Sequence, residues 1–398
     1  MTAPLRVLCL DIEGGFGGSS RSLYESVRHM DKTQAAVEVW CRKDGPVVAR
    51  YTALGIPCRV EPAMAHWSAL PRFSRNLLSL LSLSGYARRH ARSRTFRHRL
   101  AREVNARFDR VHFNHEALFG LAAWLRRRTR APFTLHVRTN LWPSLFARWQ
   151  ARALSRDIDA FAFITANEEA TFRRHGGRPR AGAVIHNIVT PPDPAPLPEL
   201  AADARFKIAC VSAYSWTRGL DRLLDVADEL ERMDRHDVLF VMAGRMTLSR
   251  SLPGRLGEIG RRGGTLADAA QARGLAAHFR FLGHVTEPER VLAACDALAK
   301  PTREDNPWGR DILEAMAMGL PVLSVGTDAT FVETGVTGVL QSPFDAVALA
   351  GDIARLAEDR DRVRRMGGAA RARVAALCDG IGRARDLLDL WRGAARPE

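Results

Sequence analysis

Residues 302–321 read TREDNPWGRDILEAMAMGLP, a turn of chemically capable side chains followed by an alanine- and methionine-rich run. Glu304, Asp305 and Asn306 precede Pro307, Trp308 and Gly309; Arg310 follows, and Glu314 lies one turn further on. Carboxylates, an amide and a guanidinium at a helix entrance are the groups that grip an anion or accept hydrogen bonds from sugar hydroxyls. Part of the pattern is helix punctuation. Asn306 suits the N-cap, Pro307 the first helical position and Gly319 the position just past the end. Acids at a helix amino terminus gain ~0.3–1 kcal/mol from the dipole, which accounts for Glu304 and Asp305. Glu314 is different, because it sits inside the helix between Leu313 and Ala315. A carboxylate there needs partners, and ribose hydroxyls are such partners in nucleotide-binding folds.

Three other stretches carry candidate chemistry. In DIEGGFGGSS (11–20), Gly14, Gly15, Gly17 and Gly18 let the backbone approach a ligand closely ahead of a helix amino terminus, although the spacing is not the dinucleotide pattern. The structural reading is a tight turn with Ser19 or Ser20 as N-cap. In SAYSWTRGLDRLL (212–224), Arg218 stands at a helix entrance after a strand, where it can grip a phosphate or simply be solvated. In TLHVRTN (134–140), His136 is followed by Arg138 and Asn140, polar groups gathered at a strand end; a lone histidine there is also commonly a satisfied polar residue. The DID at 157–159 resembles a metal-binding DxD but runs into an apolar strand, so no metal is expected.

The elements around these stretches alternate. Short apolar runs predict seven strands in the first half, within 5–12, 37–41, 57–61, 110–114, 132–137, 161–166 and 183–188. Six more fall within 207–214, 238–244, 279–285, 297–301, 321–326 and 338–342. Near-continuous hydrophobic runs separated by helix-sized segments are the signature of parallel sheets covered on both faces. The chain therefore reads as α/β with two Rossmann-like, doubly wound domains, 1–190 and 204–376. Between them 191–203 is proline-rich and expected to hold no regular element, and 377–398 forms a last helix that can cross back to the first domain.

At 398 residues, with 46% hydrophobic and 26% charged residues, the chain is globular, and its length suits two domains. No apolar run reaches the ~18–20 residues of a membrane span, and the start of the chain is a poor signal peptide. Six cysteines without CxxC spacing predict buried free thiols in a reducing cytoplasm. The charge is asymmetric: residues 1–200 hold 31 Lys and Arg against 16 Asp and Glu, whereas 201–398 hold 28 of each. Such a division predicts that one half faces an anionic partner.

The segment 76–107 places five leucines ahead of eight arginines, with Phe96, Leu100, Val104 and Phe108 on one stripe. It reads either as an ordinary covering helix with a solvated basic face or as a helix docking on anionic lipid through Arg88, Arg89, Arg92 and Arg94. No nucleic-acid module appears, and nucleic acid is not an expected partner.

KPTREDNPWGRDILEAMAMGLPVLSV resembles the signature of the group 1 glycosyltransferases, a retaining family with two Rossmann-like domains facing across a cleft, the GT-B fold. The resemblance extends to GGFGGSSRSL, TLHVRTN, VIHNIV, SWTRGLDRLL, FLGHV and DATFVETGVTGVL, in the family's order. It implies transfer of a sugar from a nucleotide-sugar donor, by front-face attack without an obligatory side-chain nucleophile, metal or other cofactor. It also implies His136, Asn306 and Arg218 as catalytic candidates, and donor contacts from Gly14, Gly15, Gly17, Gly18, Arg218, Glu304, Pro307, Trp308, Gly309, Arg310 and Glu314. Arg138 and Asn140 are acceptor candidates.

Two departures stand out. The family's first glutamate falls on Asn306, and its phosphate-gripping Arg and Lys fall on Ala213 and Arg218. Glu304, Asp305 or Arg310 is then expected to do the missing work. The expectation is an enzyme acting on a glycan or lipid-linked acceptor in cell-surface polysaccharide or glycolipid synthesis, peripheral at the inner face of the cytoplasmic membrane. The alternatives are a catalytically impaired membrane scaffold, or another GT-B enzyme such as a disaccharide synthase or epimerase.

Overall fold

The computed structural model describes residues 3–67, 77–141, 143–191 and 193–395, with only the backbone described for 77–82. The chain divides into two compact units, residues 1–188 with 378–398, and residues 189–377.

The first unit contains a seven-stranded sheet of β1 (Leu5–Asp11), β2 (Ala35–Cys41), β3 (Cys58–Val60), β4 (Arg110–Phe113), β5 (Phe133–Val137), β6 (Ala160–Phe163) and β7 (Gly182–Val184). Its order is β3-β2-β1-β4-β5-β6-β7, and every pairing is parallel. The apolar runs are continuous because each face has its own core. Along β1, Leu8 and Leu10 pack with Trp40, Phe113 and Leu135, while Val7 and Cys9 pack on the other side with Leu23, Val39 and Trp391. The alternation is that of any strand, and helices on both faces make every position apolar.

The second unit repeats the plan with β8 (Phe206–Val211), β9 (Val238–Ala243), β10 (Phe279–Gly283), β11 (Ala297–Lys300), β12 (Val322–Val325) and β13 (Gly338–Gln341). Its order is β10-β9-β8-β11-β12-β13, again parallel throughout.

Four local expectations change. The linker carries one helical turn, Pro198–Ala201, because Pro198 suits a first helical position and Leu200 is fully buried. The basic segment is two helices, Leu77–Arg92 and Arg94–Arg107, divided at Ser93, whose hydroxyl donates to His90 O at 2.7 Å. The helix after the glycine loop begins at Gly18 with Gly17 as its N-cap, so neither Ser19 nor Ser20 caps it. The helix of the opening stretch is Arg310–Ala317 with Gly309 as N-cap, leaving Asn306 and Pro307 in the preceding loop. Gly319, at φ +83°, does lie just past its end.

The last helix, Gly380–Gly393, belongs to the first unit. Trp391 is fully buried there, its backbone carbonyl accepts from Arg110 Nε at 2.7 Å, and its indole donates to His112 Nδ1 at 3.2 Å. All six cysteines are free, five of them buried. No helix among the described residues is long and apolar enough to cross a membrane.

Candidate functional site

In the second unit, β8 and β11 are neighbours from which the chain winds in opposite directions. Open α/β sheets hold ligands beyond the carboxyl ends of strands at such a switch point. The loops that leave these two strands are bound together. Gly219 has φ +71°, and a Cβ there would lie 1.9 Å from Pro301 O, so only glycine permits the approach. The Arg303 amide donates to Thr217 O at 2.7 Å, while its guanidinium donates to both Asp221 carboxylate oxygens at 2.8 Å.

Lys300, the last residue of β11, is 2% exposed, and its Nζ lies 3.1 Å from Asp311 Oδ1 in the first turn of the helix Arg310–Ala317. Burial pushes the Lys300 ammonium's pKa down, Asp311 opposes this, and the charge of Arg218 adds to the lowering. At Asp311 burial would raise the pKa, but Lys300 and then Arg218 hold it below the usual carboxylate value. Arg218 makes no side-chain hydrogen bond or ion pair among the described residues. Two cations and one carboxylate thus meet at the end of β11. A buried ammonium beside a second cation favours an additional anion.

Asn306 is committed to its neighbours. Its Nδ2 donates to Glu304 Oε2 at 2.9 Å, and its Oδ1 lies 3.0 Å from the Thr302 hydroxyl, which is equally close to Thr217 O. The Glu304 amide in turn donates to Thr302 Oγ1 at 3.0 Å. These bonds explain why Asn306 does not cap the helix. Asp305 points elsewhere: it accepts from the Thr327 amide at 2.7 Å and from the Thr327 hydroxyl, and so pins the loop after β12. Arg310 pairs with Glu314 at 3.2 Å, both side chains mostly buried at 12% and 15% exposure. Trp308 and Pro307 are buried, packing the turn.

In the first unit the switch point lies between β1 and β4. Asp11, at the end of β1, is fully buried and accepts from Asn114 Nδ2 at 3.2 Å. Burial raises its pKa, against hydrogen bonds from Ser20 and Asn114 and the charge of Arg138. Arg138 reaches across the strand ends: Nη2 donates to Asn114 Oδ1 at 2.6 Å and Nη1 to Asn187 Oδ1 at 3.1 Å, and its amide donates to Glu116 Oε2 at 3.0 Å. Glu116 also accepts from the Thr139 hydroxyl. Asn140 is half-buried next in line. In the glycine loop, a Cβ on Gly14 would lie 2.0 Å from Lys43 O, whereas Gly15, Gly17 and Gly18 have open space around them.

His136 lies inside β5, one residue short of its end, and is 2% exposed. The Trp391 indole donates to His112 Nδ1, so His112 Nε2 carries the proton directed at His136 Nδ1, 3.4 Å away. That leaves the proton of His136 on Nε2, which faces the Ile185 backbone outside good hydrogen-bonding geometry. Burial, reinforced by Arg138 and His112 and opposed by the Ile185 backbone, keeps the His136 pKa well below 6.5. The residue is a buried, neutral imidazole.

Asp159 of the DID is held by Arg126 through bonds of 2.8 and 2.7 Å, and Asp157 by its neighbour Arg156. Arg88, Arg89, Arg92 and Arg94 are all exposed, remote in sequence from both clusters. Sequence reasoning did not single out Lys300, Asp311 and Thr302 in one unit, or Asp11, Asn114 and Glu116 in the other. A usable signal existed for the first: Lys300 is one of only four lysines among 59 basic residues, and it ends an apolar strand.

Residues 198–373 match the family model described as Glycosyl transferases group 1, and residues 17–188 match the Glycosyl transferase 4-like domain. Together these matches take in most of the chain, which belongs to the group 1 glycosyltransferases of GT-B fold. A D-inositol 3-phosphate glycosyltransferase of Nocardia farcinica is 30% identical over 293 residues, a match spanning 67% of this chain and 62% of that protein. Among solved structures, Anabaena Alr3699/HepE in complex with UDP and glucose superposes with a TM-score of 0.74 at 20% identity, covering 98% of this chain and 100% of that one. Sucrose-phosphate synthase from Thermosynechococcus elongatus gives 0.71 at 18% identity, covering 98% of each chain.

Proposed function

We propose that this protein is a retaining glycosyltransferase that moves a sugar from a nucleoside-diphosphate sugar to a glycan or lipid-linked acceptor in cell-surface polysaccharide or glycolipid synthesis. The observation that carries the reading is the cluster of Lys300, Arg218 and Asp311 at the second unit's switch point. The family's phosphate-gripping pair is reduced here to Ala213 and Arg218. Lys300, one strand over, restores a second cation. Two cations at a strand end suit a departing diphosphate and act without a metal ion there. Glu314, oriented by Arg310, accepts the ribose hydroxyls. Glu304, tied to Asn306, takes the place beside the donor sugar that the family's first glutamate occupies.

In the proposed reaction the bond between the anomeric carbon and the diphosphate oxygen breaks. The acceptor oxygen bonds to the same face of that carbon, and its proton passes to the departing phosphate. Arg138 and Asn140 meet the acceptor in the first unit, and the neutral His136 stands beside the transferring sugar. Arg88, Arg89, Arg92 and Arg94 hold the chain at the anionic inner face of the cytoplasmic membrane.

The test is a thermal-shift panel of nucleotide sugars, beginning with UDP-sugars because HepE was solved with UDP. Donor hydrolysis and transfer are then measured for the donor that binds. Turnover is expected for wild type and not for Glu314→Ala. Binding without turnover would instead identify a scaffold, and absence of binding by every donor would end the enzyme reading.

A further inference from the structure

At the opposite end of the second unit's sheet from Lys300, where β9 and β10 begin, Glu231, His236 and His278 converge. One ligand-capable atom from each lies within 4.8 Å of the others. Glu231 ends the helix Leu223–Arg232, His236 lies in the turn before β9, and His278 closes the short turn Ala276–His278 ahead of β10. Neither imidazole is placed at random. His278 is 1% exposed, and its Nδ1 lies 3.2 Å from Val238 O, a contact that fixes the proton on Nδ1. Its Nε2 therefore presents a lone pair toward Glu231 Oε1, 3.1 Å away, outside hydrogen-bonding geometry with any group. A lone pair and a carboxylate oxygen that close repel each other unless a proton or a metal cation lies between them. His236 repeats the arrangement: Nε2 lies 2.9 Å from Asp234 Oδ1, and Nδ1 lies 3.6 Å from Glu231 Oε2.

We infer that Glu231, His236 and His278 form a zinc-type divalent metal site remote from the sugar-transfer machinery. Two imidazole nitrogens and a carboxylate oxygen are the ligand set of open tetrahedral zinc sites, with water in the fourth position. With metal–ligand bonds of ~2.0–2.1 Å, adjacent ligand atoms in a tetrahedron stand about 3.3–3.4 Å apart. His278 Nε2 lies 3.1 Å from Glu231 Oε1 and His236 Nδ1 3.6 Å from Glu231 Oε2, and with one ligand atom from each residue the set spans no more than 4.8 Å, so small side-chain shifts bring it onto one ion. Each histidine also gives its other nitrogen to an oxygen acceptor, the Val238 carbonyl or the Asp234 carboxylate. This is the outer contact that orients metal-ligating imidazoles and sets their tautomer. The bound ion ties the end of the helix Leu223–Arg232 to the start of β10, which among the described residues is an edge strand paired with β9. Its role is to stabilise that edge, and it does not depend on the proposed transferase activity.

The experiment uses the full, untagged chain freed of metal by chelation and titrated with zinc chloride, with calorimetric and melting readouts. Saturation is expected at one Zn2+ per chain with a micromolar or tighter Kd, and zinc should raise the Tm. Glu231→Gln and His236→Ala, which remove ligands, should each weaken binding by at least the ~10–100-fold that loss of an outer-shell partner costs. His236 is 59% exposed at its side chain, so His236→Ala keeps the test valid if buried His278 variants fail to fold. Co2+ should give the visible absorption of a tetrahedral centre in wild type and not in His236→Ala. Zinc binding that is only millimolar, or equal in wild type and His236→Ala, overturns the site.

Discussion

Gly309 lacks a side chain where one would collide with chemistry: a Cβ there would lie 2.2 Å from Lys300 Nζ and 2.4 Å from Asp311 Oδ1. Both neighbours are ends of flexible side chains, so the fold can absorb the methyl, but the ammonium must move. Gly309→Ala is therefore expected to lower Tm by no more than ~1–2 °C, which is about 0.5 kcal/mol at the 2–4 °C per kcal/mol typical of domains this size. The same change should raise the donor KM about tenfold, as read by initial rates. Asn306 poses the complementary question. Its amide donates to Glu304, so Asn306→Glu sets two carboxylates face to face at a bond now 2.9 Å long. Restoring the residue usual in the family is expected to lower kcat/KM by ~10-fold or more. Glu304→Gln should do at least equal harm, because in the proposed reaction Glu304 is the carboxylate that faces the donor. If Asn306→Glu raises activity, the assignment of that role to Glu304 is wrong. The sequence posed this question accurately yet named three candidates for the role. Side-chain directions separate them: Asp305 is bound to Thr327, and Arg310 to Glu314.

The strands of the first unit carry a buried polar column through an otherwise apolar sheet. Trp391 donates to His112, and His112 faces His136, both histidines essentially out of water. Burial, with Arg138 adding, lowers the His112 pKa to about 3 and that of His136 well below 6.5. Both therefore stay neutral in the folded state, while an unfolded histidine titrates near ~6.5. The stability they confer is present in full above that value and is lost as pH falls toward the folded values, because the unfolded chain takes up the protons. The limiting slope is about 1.4 kcal/mol per pH unit for each proton. Urea unfolding at pH 7.5, 6.0 and 5.0 is expected to show this decline. The double variant His112→Asn, His136→Asn should be less stable at neutral pH but flatter on the acid side; an equally steep wild-type and variant limb would refute the account. All thirteen strands were legible from sequence, because burial on both faces writes a continuous apolar run. Helix boundaries were less so. Gly309 displaced Asn306 as the cap once tertiary bonds claimed the asparagine, and Ser93 split a segment whose apolar stripe ran unbroken. His136 read as a strand-end residue because nothing in TLHVRTN reveals that His112 and Trp391, contributed from far along the chain, enclose it.

Taken over the whole molecule, charge follows the two units more sharply than it follows the two halves of the sequence. The first unit holds 35 Lys and Arg against 18 Asp and Glu, a net of +17, and the second holds 24 against 26, a net of −2. Much of the first unit's basic surface is already neutralised: Arg99 pairs with Glu61, and Arg107 with Glu38 and Glu103. Arg97 is buried against His90 and Trp124. Arg88, Arg89, Arg92 and Arg94 are exposed and form no ion pair among the described residues. Of the five leucines ahead of these arginines, Leu77, Leu78, Leu80 and Leu81 have side chains outside the described residues, and Leu83 is 43% exposed. Each basic residue near an anionic bilayer contributes ~1 kcal/mol, so four amount to a large fraction of a reversible membrane affinity. Flotation with phosphatidylserine-containing liposomes at low salt is expected to carry the protein upward, and neutral liposomes are expected to leave it behind. Raising ionic strength from ~0.05 to ~0.5 M shortens the Debye length severalfold and should release it. Converting the four arginines to glutamine should release it at low salt as well, without changing Tm, since none is buried. If wild-type protein ignores anionic liposomes, the basic face is only solvated, and the excess charge of the first unit must be assigned to an anionic acceptor instead.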